Sequence, residues 1–179
     1  MAALGAKKPT PGGGAAGAVA AAIGAASGAM AAIYTTRKKD EESGVAADAR
    51  ALAESLNSAA ARCIKIADED EAAYAALQAS WKDESMTPED KAKVEATALD
   101  VPVRLVKLCH EQSSAVHKFL PKCNPNITSD AKVAIHLLAG SARAAYQTVL
   151  VNKPPEDLDK ELQALLKDMA AHEAAILPK

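Results

Sequence analysis

Hydrophobic and polar positions along the chain alternate with a helical period almost throughout. An uncharged run of Ala and Gly follows Pro9-Thr10-Pro11-Gly12-Gly13-Gly14 and predicts a first helix from about Gly14 to Lys38. At 100° per residue, Val19, Ile23, Met30 and Ile33 share one narrow stripe, and Gly17, Gly24 and Gly28 share another on roughly the opposite side. A helix with a bulky face, a smooth glycine face and no charge between them reads as a central helix packed on both sides. Lys39 to Gly44 reads as a charged loop. A second long helix runs from Val45 toward Trp81, with Leu52, Leu56, Cys63, Ile66 and Ala73 giving its apolar stripe.

Thr87-Pro88-Glu89-Asp90 is a helix start: a capping hydroxyl, Pro at the first position, acids in the first turn. The third helix reaches Leu120 and contains Pro102, which removes one backbone hydrogen bond, so this long helix is expected to be kinked there. The turn-rich stretch from Pro121 to Asp130 leads into a fourth helix, from about Asp130 to Asn152, capped by Thr128 or Ser129. Its apolar positions include Val133, Leu137, Ala144 and Leu150. Pro154-Pro155 ends it. A fifth helix covers about Glu156 to Ile176, with Leu158, Leu162, Leu165 and Met169 on one face. The expected fold is all-α: a single-domain bundle of about five helices over residues 9–179, with residues 1–8 as a flexible terminus.

Composition narrows the classes. The chain has 179 residues with one Phe and one Trp, so its core is built from Ala, Leu, Val and Ile. A net charge of −2 and the lack of aromatic–basic interleaving argue against a nucleic-acid partner. The run Ala15–Tyr34 has the length of a membrane span, but Ala and Gly insert weakly, so a buried helix is the better reading. Cys63, Cys109 and Cys123 do not suggest a disulfide framework. Cys63 reads as a small core residue. Cys109-His110 lacks further ligands at metal spacing, and His117, His136 and His172 are scattered, so no metal is expected.

Two stretches carry candidate chemistry. A helix beginning after Gly12-Gly13-Gly14 presents free backbone N–H groups at its first turn, a place for an anion or a polar ligand atom. The same glycines read equally as a flexible linker. In Asp68-Glu69-Asp70-Glu71, four successive carboxylates cannot share one helix face. Asp70 lies four residues from both Ile66 and Tyr74 and should face inward with them, where a carboxylate needs partners and has a perturbed pKa. For Glu69 and Glu71 a solvated acidic patch is preferred.

Pro9 to Gly14 opening an Ala/Gly helix, followed by Lys38-Lys39, resembles the start of the cyclodeaminase/cyclohydrolase family of folate enzymes. Ile66 to Tyr74 is similar to that family's Asp-x-Asp-x-x-Ala-aromatic segment. Thr87-Pro88-Glu89 and Val101-Pro102 fit next, Asn124 to Asp130 resembles its Asn-x-x-x-Ser-Asp segment, and Val149 to Asn152 matches its end. The likeness runs in order over nearly the whole chain. It implies a dimeric helical fold and a folate site near the opening turn, with Asp70 as the catalytic residue. Gly12, Gly13, Gly14, Lys38, Lys39, Asn126 and Asp130 become substrate-binding candidates. The lysines also read as an ordinary cationic helix C-terminus. The implied activity is that of a cytoplasmic cyclodeaminase or cyclohydrolase with a tetrahydrofolate derivative as substrate and no bound cofactor. Two departures stand out: Ala15 where the family has Ser, and Thr148 where it has Asn. They favour the competing expectation, an inactive member serving as a structural or interaction subunit.

Overall fold

The computed structural model describes residues 2–177, so Met1 and the last two residues of the expected 9–179 domain lie outside it. The described residues form six α-helices and no strand: α1 (Gly13–Ile33), α2 (Lys38–Glu42), α3 (Val45–Ser80), α4 (Pro88–Phe119), α5 (Thr128–Val151) and α6 (Glu156–Ile176). The all-α class holds. The extra helix is the five-residue α2, too short to leave a periodic trace. Arg37 caps it: its backbone N–H donates to Asp40 Oδ2 at 2.9 Å, and its guanidinium forks onto both Asp40 oxygens at 2.7 and 2.9 Å. Residues 2–8 are exposed turns.

α1 lies between α3 and α5, its two main neighbours. α4 closes the other side of α3 and α5, and α6 packs across α4 and α5. The core is an alanine core with Leu56, Leu105, Ile135, Leu138, Leu162 and Met169 as its largest fully buried side chains. Thr87 caps α4 as expected, its Oγ1 accepting from the Asp90 N–H at 3.2 Å. α4 runs unbroken through the buried Pro102. Cys63, Cys109 and Cys123 are free and buried; desolvation pushes the Cys63 thiol up to about 11.

Three expectations are corrected. First, α1 is not packed on both sides within the chain. Its small-residue face is the buried one: Gly24 lies so close to α5 that a Cβ there would sit 2.9 Å from Leu137 Cβ. The bulky stripe stays open, with Val19, Ile23, Met30 and Ile33 at 37, 59, 40 and 47% exposure. Close helix approach selects small residues, so bulk marks the outer face here. Second, α5 is turned relative to the expected stripe. Val133 and Leu150 are exposed while Ile135, Leu138, Ala142 and Val149 are buried, because α5 must serve α1 and α4 together. Third, α5 begins at Thr128 with no side-chain cap from Ile127; the Thr128 hydroxyl instead donates to the Asn124 carbonyl at 3.1 Å.

α1 is also long and apolar enough to cross a membrane by length and composition, and 56% of its most apolar window is buried inside the bundle.

Candidate active site

The turn before α1 opens into a cavity of about 680 Å³, a size suited to a small organic ligand. Its floor is Gly12-Gly13-Gly14. One wall is a single face of α3 and the residue that caps its C-terminus, where Asp70, Tyr74, Leu77 and Trp81 follow at intervals of four, three and four residues. The facing wall comes from α5 and its end: Ala144, Gln147, Thr148, Val151 and Asn152. Pro9 and Thr10 form the rim, with the Thr10 hydroxyl donating to Glu71 at 3.2 Å. The one Trp of the chain stands 61% exposed here, and Tyr74 is also exposed. Aromatic faces left open inside a cavity offer stacking surface for a flat ring.

Asp70 is the only carboxylate among the lining residues. Burial pushes its carboxyl above the usual carboxylate range, and the Ala15 backbone N–H directed at it opposes part of that rise. Gly14 makes the approach possible, since a Cβ at position 14 would overlap the Asp70 carboxylate. The free N–H groups of the first turn of α1 therefore meet an anionic side chain. The neighbouring acids are disposed of differently. Glu69 accepts from Arg104 at 2.6 Å, Glu71 meets Thr10, and Asp68 is exposed. A carboxyl with a raised pKa is a better proton acceptor than an ordinary carboxylate, and its ionised form can stabilise a cation beside it.

The structure thus brings Gly12, Gly13, Gly14 and Asp70 to one cavity. Lys38, Lys39 and Asn126 stand beyond the other end of α1, about 30 Å away by helix rise, and Asp130 lies beside Ser27, about 20 Å along the helix. Lys38 opens α2 and Lys39 lies in the last turn of that five-residue helix, so neither stands at the C-terminus of α1. Asn126 is exposed, while its neighbour Asn124 is buried and fully engaged. Asn124 Oδ1 accepts from Arg37 Nη1 at 2.7 Å and from the Asn126 N–H at 3.1 Å, and Nδ2 donates to the Tyr34 carbonyl at 3.0 Å. The Asp130 carbonyl accepts from Ser27 Oγ at 3.0 Å, tying α5 to α1. Tyr74, Leu77, Trp81 and Gln147 were not among the sequence candidates. The signal for the first three was present: the Ile66–Asp70–Tyr74 spacing continues for two more turns of α3.

Among the described residues no group of three or more His, Cys, Asp or Glu side chains is arranged to hold a metal ion.

An all-helical domain with one half-buried carboxylate in a cavity over a helix N-terminus, beside exposed aromatics, has the features of a small-molecule site. Comparison with known proteins gives that class a family. The model of the formiminotransferase-cyclodeaminase family matches residues 1–172, and the chain belongs to that family. It is 31% identical over 182 residues to the methenyltetrahydrofolate cyclohydrolase of Methylorubrum extorquens, covering 94% of this chain and 87% of the relative. Its fold matches that of the formiminotetrahydrofolate cyclodeaminase of Thermotoga maritima with a TM-score of 0.80 at 23% identity, over 96% of this chain and 86% of the other. The family is one of folate one-carbon cyclohydrolases and cyclodeaminases.

Proposed function

We propose that this chain is a folate one-carbon enzyme acting on formimino- or methenyl-tetrahydrofolate, with Asp70 as its acid/base and cation-stabilising carboxylate. The observation that carries the reading is the placement of Asp70: half-buried, raised in pKa, and alone among carboxylates in a cavity of folate-ring size. In cyclodeamination, N10 attacks the formimino carbon, N10 gives up its proton, and the exocyclic nitrogen leaves as ammonia after gaining one. In cyclohydrolysis, water adds to the methenyl carbon and loses one proton; the remaining hydroxyl proton then passes to the departing ring nitrogen as its C–N bond breaks and the formyl C=O forms. Either route passes a proton beside an amidinium-like cation, and one carboxylate serves both needs. Trp81 and Tyr74 supply the stacking surface, and the first-turn N–H groups of α1 orient Asp70. In the same proposal the enzyme works as a cytoplasmic homodimer on a free folate, without nucleic acid, membrane, metal or bound cofactor.

A second reading has its own observation. The Ala15 side chain is buried and brings no hydroxyl to the first turn, and Thr148 stands in the cavity wall where the family has Asn. These favour a subunit that has lost catalysis. Against this, the contact from position 15 to Asp70 is made by the backbone, which any residue supplies.

The deciding assay follows methenyl-tetrahydrofolate absorbance with wild type and Asp70→Asn, beside a titration of Trp81 fluorescence. The enzyme reading expects turnover by wild type, a loss of about 100-fold or more in Asp70→Asn, and quenching in both. No turnover and no quenching in wild type would sink it. Quenching without turnover would favour the inactive reading. Ammonia release from formimino-tetrahydrofolate separates the two activities.

A further inference from the structure

Pro102 leaves one carbonyl of α4 without its usual donor. In an α-helix the carbonyl of residue 98 accepts from the N–H of residue 102, and proline has none. Ala98 and Pro102 are both buried, so that carbonyl needs another partner. It has one: Asn152 Nδ2 donates to the Ala98 carbonyl at 3.2 Å. Nδ2 also donates to the Thr148 carbonyl at 3.0 Å. Thr148 lies in the last turn of α5, where carbonyls run out of backbone donors. The Asn152 backbone N–H is spent on the Val149 carbonyl, also at 3.0 Å.

Both partners are carbonyls, so only the nitrogen of the amide can stand against them, and both of its hydrogens are used. The sense of the amide is therefore fixed. Its oxygen lies on the other edge of the amide plane, turned away from Ala98, and no donor among the described residues reaches it. Asn152 lines the cavity on the wall that faces Asp70. The break in α4 thus sets which end of a side chain in the cavity is free.

We propose that Asn152 Oδ1 is a fixed acceptor that reads the amino-bearing edge of the ligand ring, with Pro102 as the positioning residue that holds the amide in that sense. The inference deepens the folate reading above and rests on it. A reduced pterin carries two donors, its 2-amino group and N3–H, at the end of the bicycle remote from N5. With the one-carbon unit on N5 held at Asp70, a ring lying across the cavity turns that end toward the facing wall. An acceptor locked in place selects a ring with donors there. An amide free to turn would offer its NH2 as readily and lose the selection.

Calorimetric titration with 5-formyl-tetrahydrofolate and with the same compound lacking its 2-amino group tests this, beside turnover of methenyl-tetrahydrofolate. Wild type should bind the desamino compound about ten-fold more weakly. Asn152→Ala should bind the two alike and raise KM about ten-fold, with kcat within about three-fold of wild type. Loss of a merely structural bond would lower Tm without changing the ratio between the two compounds. Pro102→Ala returns an N–H to the Ala98 carbonyl and releases the Asn152 amide. It should keep the helicity, raise KM at least about two-fold and narrow the preference between the compounds. Should Asn152→Ala not fold, wild type and Pro102→Ala decide. Equal binding of the two compounds by wild type overturns the inference, as does a preference that Asn152→Ala retains. An unchanged KM and preference in Pro102→Ala remove Pro102 from it. If neither compound binds and nothing turns over, the folate reading falls and this inference with it. If both bind alike and turnover is seen, only the role of Asn152 falls.

Discussion

Gly14→Ala separates the role of the opening turn in stability from its role in the site. The added Cβ overlaps the Asp70 carboxylate. What it meets is the free end of a side chain, which can swing toward the open cavity, so the fold need not yield. The variant gains up to about 1 kcal/mol from replacing Gly in a helix. It loses a charged hydrogen bond from the Ala15 N–H, at most about 1.5–3 kcal/mol and less for a group this open to solvent. Release of the burial penalty, which outweighs that bond, offsets the loss, so the net change stays within about 1 kcal/mol of zero, a Tm shift of less than about 4 °C. Catalysis should suffer far more, because Asp70 leaves both the N–H that orients it and the burial that raises its pKa. General acid–base terms are about 10²–10⁴-fold, so kcat/KM should fall at least about 100-fold. Gly24→Ala is the counterpart. Its Cβ would meet Leu137 Cβ at 2.9 Å, an atom fixed to the α5 backbone. Overpacking there costs about 1–3 kcal/mol and leaves kcat/KM of the folded protein within about three-fold. The measurements are thermal denaturation and the methenyl-tetrahydrofolate absorbance assay. A folded Gly14→Ala with wild-type kcat/KM would refute the placement of catalysis at Asp70.

Three further outcomes follow from the same structure. The raised pKa of Asp70 means that its ionised form opposes folding, so its contribution to stability is full below the unfolded pKa and is lost as pH rises through the folded one. Asp70→Asn should therefore raise Tm at pH 7, with the gain vanishing near pH 3; a lowered Tm at pH 7 contradicts this. Asn124→Ala breaks the bonds to Arg37, Tyr34 and Asn126 and should cost about 2–4 kcal/mol, read by urea denaturation, whereas Asn126→Ala should stay within about 0.5 kcal/mol. At the α4–α6 contact His172 stacks on His117 with ring centroids 4.3 Å apart. Burial first, then the nearby His117, His110 and Lys118, hold His172 below its usual pKa against the pull of Asp168. His110 holds Asp168 low in turn. Both contributions are present at neutral pH and are lost as pH falls, His172 first, below about 6.5 and then Asp168. His172→Gln should flatten the first part of the acid unfolding curve followed by circular dichroism.

Much of the fold was legible because helix periodicity and stop signals are local. Thr87-Pro88, Pro154-Pro155 and the Leu162–Met169 stripe each act within a turn or two. Asp70 was legible for the same reason, since its spacing from Ile66 set its direction. What failed was nonlocal. Which face of α1 is buried depends on how closely α3 and α5 approach, and an approach within Gly and Ala contact reverses the rule that bulk goes inside. Asn124 and Asn126 differ in sequence only by their side of Pro125; their fates depend on Arg37 and Tyr34, nearly ninety residues earlier. Lys38 and Lys39 are near the opening turn in sequence, but a straight helix carries them to its far end.

The central claim is tested most directly by a crystal structure of Asp70→Asn grown with methenyl-tetrahydrofolate. The account predicts the folate ring between Trp81 and the Gly12–Gly14 turn, with the side chain at position 70 within about 3.2 Å of a reacting atom or a bound water. Folate bound elsewhere on the chain, with the cavity at Asp70 filled only by solvent, would contradict it.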